Sequence, residues 1–208
     1  MRLHRFLPVA LIAFAGLSLG SGCPTMPKLE DRIVELAISS STTLDFVGQS
    51  TVSTSITDGG SVDFSTDFDI KGLLNDAGID ISQVTGIALS GVSYRVSVAD
   101  ANGRSITSGT VSIQRQGGPV VPLVTAFAQS VASTTPFATA PLSSQGVAVL
   151  NTMLNDLLTS EKNGTTLVNP AMSFTFGGTA DGLPYSFGWQ LKLDVSIKGH
   201  IQQITIPT

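Results

Sequence analysis

The chain is short of the side chains that do most protein chemistry. It has one cysteine and two histidines in 208 residues. A single cysteine rules out an internal disulfide, and with so few histidines there is no set of three or four His/Cys ligands for zinc. Charged residues make up 12% of the chain, and 11 basic residues stand against 15 acidic ones. With no basic patch to neutralise phosphates, nucleic acid is not an expected partner. No apolar run reaches the roughly 20 residues that a comfortable membrane-spanning helix needs. Gly117-Gly118-Pro119 and Gly177-Gly178 lack the following lysine and helix of a phosphate-binding loop, and read as turn glycines. No cofactor is expected.

What the chain does have begins at its start. Arg2, His4 and Arg5 form a basic opening, an apolar run covers 6–19, and small residues lead to Cys23. That is the layout of an export signal. The sequence Leu19-Gly20-Ser21-Gly22-Cys23 resembles the cleavage and acylation motif of bacterial lipoprotein precursors, with Leu19 one place earlier than the family's usual leucine. The resemblance covers the N-terminal segment alone. It implies that 1–22 is a signal peptide, that Cys23 is the lipidation site and that 23–31 is a tether; the length and composition of 32–208 suit a single β-rich domain. It also implies an exported, lipid-anchored protein of the bacterial cell envelope, whose membrane partner is reached through N-terminal acyl chains. Pro24 replaces the aspartate that often retains such lipoproteins at the inner membrane, so the outer membrane is favoured. Loss of Arg2 and Arg5 with the signal makes the remainder more acidic than the whole chain's formal charge of −4.

Beyond the tether, Ser, Thr, Gly, Val and Ile suit half-exposed strands. Strands are expected over 32–39, 49–56 and 61–70, the last two joined by a turn at Asp58-Gly59-Gly60. On 61–70, Val62, Phe64, Thr66, Phe68 and Ile70 share one face, and Asp63, Asp67 and Asp69 the other. A helical turn fits 72–78. A long strand spans 84–100, but its apolar parity switches between Leu89 and Val92, which calls for a bulge near Gly91. Asp100-Ala101-Asn102-Gly103 is a turn, and 104–115 returns as the partner strand. Another strand is expected over 120–128, then irregular chain over 133–141.

A helix follows over about 143–161, with Val147, Leu150, Leu154, Leu157 and Leu158 in one stripe. Ser143 or Ser144 can cap its start and Asn163-Gly164 its end. Met172, Phe174 and Phe176 then alternate, and alternation continues from Tyr185 to Ile197. The expected fold class is mainly β: an antiparallel β-sandwich or partly open barrel with one amphipathic helix packed on it.

Four groups of residues merit a chemical reading. Asp194, Ser196, Lys198 and His200 hold the elements of a triad, but neighbours on one strand face project side by side rather than converging. Asp63, Asp67 and Asp69 could offer oxygens to Ca²⁺, although a flat strand face splays its carboxylates, so they read first as charge that keeps the face wet. Trp189, Tyr94 and Tyr185 could stack on a sugar, but fall on the apolar parity of their strands and read as core. The helical stripe is either core or a lid over an apolar cavity. The expected function is a non-catalytic binding, adhesion or assembly module with an envelope protein or glycan partner. The alternative is a carrier of a lipid or other apolar ligand held beneath the helix.

Overall fold

The computed structural model describes residues 33–202, with side chains from Ile38 to Gly199. Eight strands run in chain order: β1 (Ile33–Ser50), β2 (Ser55–Asp63), β3 (Val84–Val98), β4 (Ser105–Arg115), β5 (Val120–Ser130), β6 (Ala138–Thr139), β7 (Ala171–Ala180) and β8 (Tyr185–Gln202). Two short helices, α1 (Phe64–Asp67) and α2 (Ile70–Asp76), lie between β2 and β3, and a long one, α3 (Ser144–Asn163), lies between β6 and β7. One sheet has the order β1-β8-β3-β6 and the other β2-β7-β4-β5, with all pairings antiparallel. Strand 1 thus pairs with 8, 2 with 7, 3 with 6 and 4 with 5, the nested wiring of an eight-stranded jelly roll. The architecture is a two-sheet β-sandwich.

Period-two patterning builds the two sheets' inner faces. Along β8, Leu191, Leu193, Val195 and Ile197 are buried, while Lys192, Asp194 and Ser196 are half-buried and Lys198 is exposed. Met172, Phe174 and Phe176 of β7 are fully buried and meet them from the other sheet. Trp189 sits at the centre, with Phe176, Phe127, Tyr94 and Phe46 at centroid distances of 4.8, 5.5, 5.4 and 5.8 Å. Such aromatic pairs add about 0.5–1.5 kcal/mol each beyond the area they bury. Leu89 packs on the same core as the buried Val92, and the β3–β8 register shifts between Leu89 and Gly91. The expected bulge is therefore present.

Helix α3 touches β3 of one sheet and β5 of the other, so it closes the side of the sandwich where those two edges part. Gly164 ends it in the left-handed conformation (φ 62°), and its N–H reaches the Glu161 carbonyl. Ser143 occupies the N-cap position with extended backbone, but its side chain makes no capping bond. Gly146 has a packing reason: a Cβ there would stand 2.4 Å from the Pro122 carbonyl oxygen and 2.6 Å from the Leu123 Cα. The helix can approach the β5 backbone only without that atom.

Several expectations need correction. The chain over 33–50 is one strand, uninterrupted in its pairing with β8, and 51–54 makes the turn to β2. Asp58-Gly59-Gly60 is not a turn: it runs straight within β2 opposite Phe176, Thr175 and Phe174. Glycine inside a strand often marks close backbone approach, and a Cβ on Gly59 would come within 3.1 Å of the Phe174 carbonyl oxygen. Gly177-Gly178 likewise lies inside β7, with Gly178 against the Ser108 carbonyl. The turn after β3 forms as expected, with Gly103 at φ 68° and its N–H donating to the Asp100 carbonyl. However, β4 does not return beside β3. It crosses to the second sheet, between β7 and β5.

Candidate functional site

Cys23 and the tether lie outside the described residues. So does the side chain of His200, which stands opposite Glu35 in the β1–β8 register. The other members of that row, Asp194, Ser196 and Lys198, lie on the outer face of β8, and Asp194 forms an ion pair with Lys192 at 3.0 Å.

The three aspartates do not share a strand face, because β2 ends at Asp63. Asp63 is the N-cap of α1, its carboxylate accepting from the Ser65 N–H at 2.9 Å and the Ser65 hydroxyl. Asp67 turns back to accept from the Asp63 N–H at 2.9 Å. Asp69 is the N-cap of α2 and accepts from the Gly72 N–H at 2.8 Å. Gly72 makes this bond possible, since a Cβ there would lie 2.3 Å from the Asp69 carboxylate. These carboxylates satisfy backbone donors at helix starts, where anions are favoured. Among the described residues, no group of three or more His, Cys, Asp or Glu is placed to hold a metal ion.

The aromatic candidates are core. Trp189 and Tyr185 are buried, and Tyr94 packs partly buried against Trp189. The Trp189 indole N–H donates to Gln129 at 3.1 Å, and the Tyr185 hydroxyl donates to the Ser55 carbonyl at 2.7 Å. Burial raises the Tyr185 hydroxyl above its ordinary pKa, opposed by a weaker hydrogen bond with Ser50.

The stripe of α3 is in the core as well. Leu150, Met153, Leu154 and Leu157 are each at most 1% exposed. A void wide enough for an apolar ligand would give the side chains lining it accessible surface of their own, and these four have almost none.

A surface that period-two reasoning does not single out lies on the outer face of β1, β8 and β3. Gln190 donates to Asp45 on one side and accepts from the Arg95 Nε on the other, both at 2.6 Å, forming a polar row across the three strands. Phe137 folds over this face from the segment that follows β5. The Arg95 guanidinium lies 4.6 Å and the Lys192 ammonium 5.6 Å from its ring centroid. Phe137 remains 36% exposed. A half-covered ring beside amide, carboxylate and cationic groups offers one apolar and several polar contacts to a glycan or protein surface. Phe137 sits in irregular Pro/Thr/Ala-rich chain, where no periodicity assigns a face.

No family model matches this chain, and no curated protein matches it. Among solved structures it is similar to a chain from Desmodium yellow mottle tymovirus, at 9% identity over 94% of this chain and 97% of that one, with a TM-score of 0.24.

Proposed function

We propose that the protein is a non-catalytic cell-envelope module, held at the membrane by acyl chains on Cys23, whose β-sandwich presents an outer face to an envelope protein or glycan. The N-terminal pattern of basic start, apolar run, small residues and lone cysteine supports the anchoring. One observation supports a module over a carrier: the inward face of α3, through Leu150, Met153, Leu154 and Leu157, is at most 1% exposed. Outer-membrane residence is part of the same reading and rests on Pro24.

The test is Leu154→Ala. In a filled core it costs about 2–5 kcal/mol of stability, the range for truncating a buried leucine. Unfolding stays cooperative, and purified protein carries no lipid. A near-neutral effect together with co-purified lipid, or altered uptake of a fluorescent fatty acid, would favour the carrier instead.

A further inference from the structure

The two outer faces of the sandwich differ in charge. One carries Asp45, Arg95, Lys192 and Asp194. On the other, among the described residues, no outward position of β7, β4 or β5 is charged, nor any of β2 up to Ser61. Outward residues over 55–61, 173–179 and 108–114 are serine, threonine and glycine, with Gln114 the exception. Near the centre lies Gly177. The register sets Thr57 of β2 and Thr110 of β4 on either side of it, and Thr175 and Thr179 stand two residues away along β7. All four threonines are exposed.

The fold does not require glycine at 177. Its φ is not positive, and its pairing with both neighbouring strands is regular. A Cβ there would meet only the Thr110 hydroxyl, at 3.6 Å, an ordinary contact. Gly59 and Gly178 differ, since a Cβ on either would press on a carbonyl oxygen, at 3.1 and 2.6 Å. Glycine inside a strand gives up packing and chain entropy. Where the backbone does not need it, it marks a place for a ligand to come close. The result is a shallow trough with a backbone floor and threonine walls. It measures about 10 Å across the strands and about 13 Å along them, from Cα to Cα.

The groups in the trough select its occupant. Among the described residues it has no cation for a phosphate or a uronate and no carboxylate for a metal. It also lacks the aromatic or arginine anchor on which protein interfaces centre. It offers methyls and hydroxyls. The Thr110 hydroxyl donates to the Gly177 carbonyl at 3.4 Å, and the Thr179 hydroxyl accepts from Ser108 at 3.2 Å. Those of Thr57 and Thr175 have no partner among the described residues. A neutral hexose ring presents the matching groups, C–H faces and O–H edges, and no charge. We infer that the trough over Gly177 is a subsite for one ring of a neutral polysaccharide. The threonine methyls pack on its C–H face, and the Thr57 and Thr175 hydroxyls bond its hydroxyls. This rests on the module reading and narrows the partner to an uncharged glycan, held on the sheet opposite Phe137.

The test passes detergent-extracted full chain, expressed from Met1 in its host, over two columns. One bears the neutral fraction of the host's surface polysaccharide and the other the acidic fraction. The neutral column should retain the wild type, and retention should survive about 1 M salt, where the Debye length is about 3 Å. Gly177→Val fills the trough with a side chain suited to a strand. Its melting temperature should hold or rise while retention is lost. Thr175→Ala, at an exposed position, should weaken binding about two- to tenfold, the effect of one hydrogen bond, at an unchanged melting temperature. Retention by the acidic column alone, equal retention of wild type and Gly177→Val, or unaltered binding by Thr175→Ala would overturn the inference. A wild-type chain that neither column holds, but that cross-links to an envelope protein, would also overturn it and leave the module reading standing.

Discussion

Single residues at element ends carry much of the fold's local specification. Gly146 begins a helix although glycine is a poor helix former, because the β5 backbone occupies the space a side chain would need. Gly146→Ala should therefore destabilise the protein by about 1–3 kcal/mol in urea unfolding, the cost of overpacking, despite the better propensity of alanine. A stabilised variant would show that the helix start is free to move. Asp69 caps α2, so Asp69→Ala should lower stability by about 0.5–2 kcal/mol. Because its carboxylate serves a backbone donor, neither added Ca²⁺ nor a chelator should shift the melting temperature. Tyr185 supplies a pH signature. Its folded pKa is raised, so its contribution is complete below the unfolded value of about 10 and is lost as pH rises through the folded value. Stability should fall more steeply above pH 10 in the wild type than in Tyr185→Phe.

At the scale of elements, patterns that depend on burial alone could be read from the sequence. The alternation over 185–197, the α3 stripe from Leu150 to Leu158 and the parity switch at Gly91 each report one apolar face and stand where expected, whereas Val147, expected in that stripe, is only half-buried. What could not be read depended on partners distant in sequence. The turn at Asp100–Gly103 is local, but nothing local decides that β4 joins β7 in the other sheet. Asp58-Gly59-Gly60 has turn composition, yet β7 holds it extended because its backbone passes close by. The alternation of Phe64, Phe68 and Ile70 fits a strand. The same residues are buried from α1, the link after it and α2, because Asp63 and Asp69 cap helices there. The polar row of Asp45, Gln190 and Arg95 was hidden for a related reason: its members come from three strands that only the register brings side by side.

At the scale of the whole molecule, the jelly-roll wiring brings β1 and β8, the first and last strands among the described residues, together in one sheet. Among the described residues the inner volume is filled by Trp189, its aromatic neighbours and the leucines of α3. An acidic chain of this kind has little electrostatic attraction to anionic headgroups, which is why the proposed attachment is assigned to acyl chains on Cys23. The outer-face row is open to a separate check: Phe137→Ala should leave the melting temperature nearly unchanged and reduce chemical cross-linking of the anchored protein to a neighbouring envelope protein or glycan.

Native mass spectrometry of protein extracted from membranes reads anchor and cargo in the same spectrum. The expected result is a mature chain that begins at an acylated Cys23 and carries no non-covalent lipid. An unmodified N-terminus at another residue would contradict the anchoring, and a stoichiometric bound lipid or other apolar ligand would contradict the filled core beneath α3.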